Sequence, residues 1–198
     1  MKQATILPTL NQIKSWMEVL ATENGISQQV NNTWRHSTIV WEFANDIAQQ
    51  AIKNSYLIDL KLLKTGCYVH DIGRMVTGSK GSKVLKHPIY HLYEGYRILK
   101  KEGFPVLARI CVCHTGGGGL DKITNKKHGF MARDFFPRTI EEKIIAYADS
   151  RTSYQVGRGS YIGSYAKAYN RFRRYRGHGK RLSQAHKFVK EITVNRKI

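Results

Sequence analysis

Residues 60–74 read LKLLKTGCYVHDIGR, an apolar helical pattern that ends on two adjacent polar side chains, His70 and Asp71. The apolar positions recur at spacings of three and four and end on His70, which predicts a helix over residues 58–71. Gly73 then stops the helix. An imidazole beside a carboxylate at a glycine-terminated helix end has little structural use, so this pair favours a functional role.

Two further polar side chains fall on apolar helix faces elsewhere in the sequence. His36 lies on the apolar stripe of a helix predicted over residues 27–53, and Asp149 lies one turn after Ile145 on the core side of another helix. A single histidine in such a position is more often a hydrogen-bonded core residue than a ligand. Buried polar groups on three helices would, however, satisfy one another by converging on a cation. Imidazole nitrogen and carboxylate oxygen suit divalent iron, manganese, zinc or magnesium.

The chain as a whole has the pattern of an all-α protein. Strand signals are weak, and no internal repeat is present. The run Gly116–Gly119 forbids a regular element and is expected to be a flexible rim that admits substrate beside His114. The pattern predicts helices over residues 9–21, 27–53, 58–71, 88–101, 105–114, from 139 past 149, and 183–192.

Composition and charge exclude several classes of protein. The 198 residues contain 33 Lys and Arg against 14 Asp and Glu, a formal net charge of +19 that favours polyanionic partners such as nucleic acid or nucleotides. Thirteen of the basic residues, but only one acid, Glu191, fall in residues 151–198. No apolar run approaches the roughly 18 residues of a bilayer span, and three cysteines without a secretory signal argue against a disulfide framework. We therefore expect a cytoplasmic protein with no membrane span.

Several segments resemble those of the metal-dependent HD phosphohydrolase superfamily. Residues 70–73, His-Asp-Ile-Gly, match its signature in the HDIG form, and HLYEGYRILKKEGFP (residues 91–105) is similar to its H-x-x-x-G-x-x-I-L segment. CVCHTGG (residues 111–117) and TIEEKIIAYADSRT (residues 139–152) resemble the later segments, which supply one more histidine and the final aspartate. The resemblance covers about residues 30–152 and is greatest to the small single-domain HDIG proteins. It implies an all-α HD-domain helical bundle with a basic C-terminal helical extension.

The same resemblance implies a centre that holds two divalent metal ions. One ion would be bound by His36, His70, Asp71 and Asp149, and the other by His91 and His114 together with Asp71. Asp71 would therefore bridge both ions and be the catalytic residue. Two ions suit hydrolysis of a phosphoester or phosphoanhydride by a metal-activated water, without a protein nucleophile.

Basic side chains between the ligand segments are candidates for binding the phosphate of the substrate. Arg74 stands where the family often has lysine, and its guanidinium would clamp a phosphate without readily donating a proton to a leaving group. Lys80 and Lys83 lie in a Gly/Ser/Lys-rich loop, where they either attract anions or are simply solvated. His87, four residues before His91, is an alternative ligand candidate, although it precedes the first turn of its helix.

The predicted function is hydrolysis of a nucleotide-like phosphoester or phosphoanhydride. The branch of the superfamily that cleaves cyclic dinucleotides is disfavoured, because it typically has two adjacent histidines where this chain has Cys113-His114, and because its G-Y-P motif has no counterpart here. The alternatives are a nucleic-acid-processing HD phosphodiesterase and a non-catalytic RNA-binding HD protein. Both would use the basic C-terminal residues.

We predict three parts of the chain: an N-terminal helix in residues 1–26, an HD domain in residues 27–153, and a basic, aromatic-rich extension in residues 154–198. Within residues 161–176, aromatic side chains recur at spacings of four, three and three, with arginines between them. Either the rings dock the extension onto the domain, or they stack on the bases of a single-stranded nucleic acid.

Overall fold

The computed structural model describes residues 6–78, 88–155 and 159–194. These residues form ten α-helices, one 3-10 turn and one antiparallel hairpin, which confirms the predicted all-α class. Among them, every helix is too short or too polar to cross a membrane. The helices are α1 (Leu10–Glu23), α2 (Gln28–Lys53), α3 (Leu60–Val69), α4 (Arg74–Thr77), α5 (Tyr90–Lys101), α6 (Pro105–Cys113), α7 (Lys122–Lys127), α8 (Ile140–Arg151), α9 (Tyr165–Phe172) and α10 (His178–Thr193). The strands of the hairpin are β1 (Thr152–Gln155) and β2 (Gly159–Ile162).

The long helix α2 lies at the centre of the bundle. Its buried stripe runs through Val40, Ala44, Ile47 and Ala51 at spacings of four, three and four, and the helix contacts α1, α3, α8 and α10. Burial of such a stripe stabilises the fold by about 25 cal/mol for each Å² of apolar surface removed from water. Because His36 lies four residues before Val40, the same stripe directs its side chain towards the core.

Gly73 brings the end of α3 into contact with α5. A Cβ atom at position 73 would lie 2.0 Å from the carbonyl oxygen of His91 and 2.6 Å from the amide nitrogen of Gly95. The backbone of Gly73 has an ordinary φ of −62°, so the close approach of two chains requires glycine here, and the dihedral angle does not. The glycine therefore places His70 and Asp71 against the helix that carries His91.

Helix α8 begins with a capping box. The Thr139 hydroxyl accepts a hydrogen bond from the Glu142 amide, and the Glu142 carboxylate accepts one from the Thr139 amide. The Glu142 carboxylate is buried and also pairs with Arg109 of α6 at 2.8 Å. The cap and the ion pair fix the start of the helix that carries Asp149 in its last turn.

Helix α7 and the β-hairpin are short elements that the sequence pattern did not predict. Helix α7 lies between the helices predicted over residues 105–114 and from residue 139, and its cap is Asp121, whose side chain accepts a hydrogen bond from the Thr124 amide at 2.8 Å. The hairpin follows α8 directly, with Thr152 paired to Ile162. Elements of four to six residues contain too few apolar positions to show a period, so the sequence pattern could not reveal them.

The C-terminal helices pack against the rest of the bundle. Helix α10 begins at His178, five residues earlier than predicted, and contacts α2, α8 and the 3-10 turn Thr115–Gly117. Three aromatic rings of α9 are half-buried against the main core, as the docking interpretation expects: Tyr165, Tyr169 and Phe172. Tyr175, beyond the end of α9, is 60% exposed.

The glycine run after His114 is buried, so the prediction of a flexible rim is wrong. A Cβ atom at Gly116 would lie 1.9 Å from Nδ1 of His178, and one at Gly117 would lie 2.5 Å from the side chain of Leu182. The run is the surface onto which α10 fits. Glycine composition alone could not distinguish a mobile rim from a close contact of this kind.

Candidate metal centre

His36, His70 and Asp149 meet inside the bundle, although they come from α2, the end of α3 and α8. His36 Nε2 lies 3.0 Å from Asp149 Oδ1 and 3.3 Å from His70 Nε2. His70 Nε2 lies 3.6 Å from the same carboxylate oxygen. One ligand-type atom of each residue lies within 4.8 Å of the others, so the three donors surround a single point.

The carboxylate of Asp71 faces two sets of imidazoles through its two oxygens. Oδ2 lies 3.8 Å from Nε2 of His36 and 3.7 Å from Nε2 of His70. Oδ1 lies 3.0 Å from Nε2 of His91 and 3.6 Å from Nε2 of His114. Asp71 therefore stands between the histidines of α2 and α3 on one side and those of α5 and α6 on the other.

Backbone carbonyl groups orient two of the imidazole rings. Nδ1 of His70 donates a hydrogen bond to the carbonyl oxygen of Cys67 at 2.7 Å, and Nδ1 of His91 donates one to the carbonyl oxygen of Pro88. Both rings thereby direct the lone pair of Nε2 into the centre. Sequence reasoning missed these carbonyl groups because any residue supplies one. The common signal is position, since each carbonyl lies three residues before its histidine.

The donor set fits a divalent cation. Asp71 Oδ1 and His91 Nε2 are buried 3.0 Å apart, but the proton of the neutral ring lies on Nδ1, so neither atom receives a hydrogen bond. Buried polar atoms of this kind are rarely left unsatisfied. A cation between them would satisfy both atoms. The set consists of nitrogen and carboxylate oxygen, which favours iron, manganese, zinc or magnesium over soft cations.

Both carboxyl groups of the centre, buried Asp71 and half-buried Asp149, are held ionised by their neighbours. Burial alone would raise the pKa of Asp71, but Arg74 and His70 outweigh that effect and hold the pKa well below its usual value. Burial acts in the same direction on Asp149, and hydrogen bonds from His36 and His70 hold its pKa well below the usual value. The centre therefore concentrates negative charge where a cation would lie.

The histidines of the two sides titrate differently. Burial lowers the pKa of His114 to about 3, with His70 acting in the same direction. Burial and then Arg74 lower the pKa of His91, so both rings are neutral at pH 7. Burial also acts to lower the pKa of His70, but the neighbouring carboxylates, Asp71 first, raise it overall. The carboxylates therefore favour a proton on His70, and a cation that binds at the centre would displace this proton.

The other predicted site residues have different surroundings. Arg74 Nε donates to Oδ2 of Asp71 at 2.5 Å, and its side chain is 29% exposed. Lys80, Lys83 and His87 lie outside the described residues.

A helical bundle that gathers four imidazoles and two carboxylates around one buried region defines the class of this protein as an all-α domain with a candidate metal centre. The family model of the HD domain matches residues 33–153, which is more than half of the chain. The chain belongs to the HD domain family.

Curated relatives share part of their length with this chain. An uncharacterized protein of Methanocaldococcus jannaschii is 38% identical over 121 residues, which cover 60% of this chain and 65% of that protein. The tRNA (cytidine(56)-2'-O)-methyltransferases of Picrophilus torridus and Thermoplasma volcanium are 38% and 33% identical over 96 and 100 residues. These matches cover 48% and 50% of this chain but only 25% and 27% of the methyltransferases. The chain therefore spans less than two thirds of the relatives that it matches.

Solved structures share the fold. Two crystal structures of the HD domain of the Listeria monocytogenes phosphodiesterase PgpH, one of them in complex with cyclic-di-AMP, align with TM-scores of 0.50 and 0.53. They are 19% and 20% identical and cover 91% and 92% of this chain and 94% and 93% of the solved chains. At that identity the likeness concerns the fold alone.

Proposed function

We propose that this chain is a metal-dependent phosphohydrolase that cleaves a nucleotide-like phosphoester or phosphoanhydride. The observation that carries the proposal is the carboxylate of Asp71, whose two oxygens face two different pairs of imidazoles. Membership of the HD domain family supports a hydrolase.

In this proposal, two divalent cations share Asp71. His36, His70 and Asp149 would complete one set of ligands, and His91 and His114 the other. When bound, such a pair of cations activates a water molecule and neutralises phosphate oxygens. The chain itself keeps its ligands ready for binding, because Arg74 holds Asp71 ionised and burial keeps His91 and His114 neutral.

The proposed substrate class is nucleotide-like. The net charge of +19 would attract a polyanion, and the HD domain of the Listeria phosphodiesterase binds cyclic-di-AMP. Cys113-His114 in this chain still argues against the cyclic-dinucleotide branch. Arg74, Lys80 and Lys83 remain the candidates for binding the phosphate.

The test compares the full chain with Asp71→Asn in hydrolysis of bis-p-nitrophenyl phosphate with added manganese. Removing the shared negative charge should lower the rate by more than about 100-fold, since even partners outside the ligand set are worth about 10- to 100-fold. Asp46→Asn is the matched control, because Asp46 is exposed on α2 and loses the same charge. Activity that survives Asp71→Asn would refute the proposal. If Asp71→Asn abolishes activity, a panel of mononucleotides, dinucleoside polyphosphates, cyclic dinucleotides and short RNAs would define the substrate.

A second candidate function is processing or binding of RNA. It is favoured by the partial match to two tRNA methyltransferases and by the basic residues after position 150. Several of those arginines are engaged within the fold, such as Arg171, which donates to the carbonyl oxygen of Ser150 at 2.6 Å. Arg173 and Arg174 are exposed, so their double change to glutamate tests this candidate without removing packed helices. Unchanged RNA affinity in that variant would argue against a role for the extension.

A further inference from the structure

A cleft of about 610 Å³ lies at the C-terminal end of α5, beyond the turn that carries His91. It is a shallow cleft that is largely open to solvent, so it would enclose a ligand only in part. Two aromatic rings, three cationic side chains, a methionine and a glycine line it, and none of these seven residues is acidic. They are Tyr96, Arg97, Lys100, Lys101, Gly129, Phe130 and Met131.

The aromatic part of this cleft is held in place by buried neighbours. Phe130 stacks on the buried ring of Tyr93 at 4.1 Å and meets the ring of Tyr96 edge-on at 5.6 Å. The Tyr93 hydroxyl donates to the side-chain oxygen of Asn125 at 3.1 Å. Asn125 is fully buried and donates to the carbonyl oxygen of Arg133 at 2.7 Å, which closes the turn around Phe130. The rings are therefore positioned before any ligand arrives, and little ordering entropy would be lost on binding.

Cationic side chains lie over the faces of these rings. The guanidinium of Arg97 is 5.9 Å from the centre of Phe130, and Lys100 Nζ is 5.9 Å from the centre of Tyr96. Arg97 is paired with Glu94 at 2.7 Å, which offsets part of its charge. Lys100 and Lys101 are exposed on the last turn of α5. Aromatic rings and cationic side chains together are the arrangement that binds single-stranded nucleic acid. A base would stack here by displacing the side chains of Arg97 and Lys100 from the ring faces, which leaves their charges available to the phosphates.

We propose that this cleft binds a nucleotide unit of single-stranded RNA, with the base against Phe130 and Tyr96 and the phosphates at Lys100 and Lys101. The site is separate from the metal centre, because Lys100 lies nine residues after His91, or about 14 Å along the helix. None of the seven lining residues belongs to the C-terminal extension. Binding here requires no hydrolysis, so failure of the proposed phosphohydrolase activity would leave this site unaffected.

The first experiment measures binding of a fluorescein-labelled 12-nucleotide uridine RNA to the full chain by anisotropy. Lys100→Glu/Lys101→Glu should weaken binding at least about fivefold and lower the slope of log affinity against log salt by about 1.4, at about 0.7 for each lost phosphate contact. Lys53→Glu/Lys61→Glu is the matched control, since both lysines are exposed on α2 and α3 and the net charge changes equally. Its affinity should fall less than twofold.

Equal losses in the two double variants would show that only total charge matters and would overturn the proposal, as would no loss in either. A thermal unfolding curve of each variant checks that the fold persists.

A second experiment locates the base directly. The same RNA with 4-thiouridine is crosslinked by ultraviolet light, and the labelled tryptic peptides are identified by mass spectrometry. We expect crosslinks in HGFMAR, residues 128–133, which contains Phe130. Crosslinks confined to peptides after residue 158 would place the RNA on the extension and overturn the assignment of the cleft.

Discussion

The contact between the glycine run and α10 gives a sharp test of how the second pair of imidazoles is positioned. Gly116 lies two residues after His114, is buried, and has a φ of +61°. A methyl group at this position would lie 1.9 Å from Nδ1 of His178, which is far inside van der Waals contact. Gly116→Ala therefore introduces both backbone strain and overpacking.

The two costs can be separated with Gly25→Ala. Gly25 has a similar φ of +67°, but nothing lies within 4 Å of a Cβ atom built there. The left-handed backbone should cost each variant about 1–2 kcal/mol of unfolding free energy. Overpacking should lower the unfolding free energy of Gly116→Ala by a further amount of about 1–3 kcal/mol, because α10 or His178 must move. The expected total is about 2–5 kcal/mol at position 116 and about 1–2 kcal/mol at position 25.

Urea unfolding of both variants, followed by circular dichroism, measures these differences. The double variant Gly116→Ala/His178→Ala removes the side chain that the new methyl group meets, so the two changes should cost less together than the sum of their separate costs. Metal content measured on the same samples shows whether displacing α10 also disturbs His114. Equal losses for Gly116→Ala and Gly25→Ala, with additive costs in the double variant, would refute the reasoning.

Three further predictions concern pH, thiols and metal. Burial and Arg181 lower the pKa of His178 to about 4, although Asp121 acts to raise it. Below the usual pKa of about 6.5 the unfolded chain binds the extra proton, so His178 alone should lower stability by up to about 3 kcal/mol between pH 6.5 and 4. His91 and His114 also have lowered pKa values, so His178→Gln should remove only the share of His178 from the pH dependence measured by urea titrations. Burial raises the pKa of all three buried cysteine thiols, so Ellman's reagent should react with none of them in the native protein and with all three in guanidinium; rapid native labelling would contradict their burial. Manganese at about 100 times its dissociation constant should stabilise chelator-treated protein by about 2.7 kcal/mol. Asp71→Asn should reduce this stabilisation. An equal stabilisation in that variant would show that the ion binds elsewhere.

The general fold could be predicted from the sequence because its apolar stripes are long. Helix α2 shows the pattern over 26 residues, and its predicted limits differ from the observed Gln28–Lys53 by one residue at the start. The start of α8 at Thr139 could also be predicted, because side-chain caps require particular residue types at a fixed spacing. Helix α7 and the hairpin were missed because their few residues leave no room for a period.

The convergence of the candidate ligands had a signal of the same kind. A histidine or aspartate on an apolar face must find a partner inside the fold, so the sequence predicts that His36, His70 and Asp149 meet. The packing between α10 and the glycine run carried no such signal. Leu182 and His178 are ordinary residues in a basic segment, and only the coordinates show that they contact Gly117 and Gly116. A contact that depends on glycine having no side chain does not require particular residue types on the opposite helix, so the sequence of α10 gives no sign of it.

The pairing of Arg74 with Asp71 has a consequence for the order of folding and metal binding. A buried carboxylate without a counter-charge would be costly, and a site built only of carboxylates would need a cation before the core could close. Here the guanidinium of Arg74 lies 2.5 Å from Oδ2, and the raised pKa of His70 favours a proton on the same side of Asp71. Part of the negative charge of Asp71 is therefore compensated within the chain, and we predict that the bundle closes before metal binds. Oδ1, which faces His91 and His114 without a hydrogen-bond partner, is the oxygen from which a bound cation would gain most.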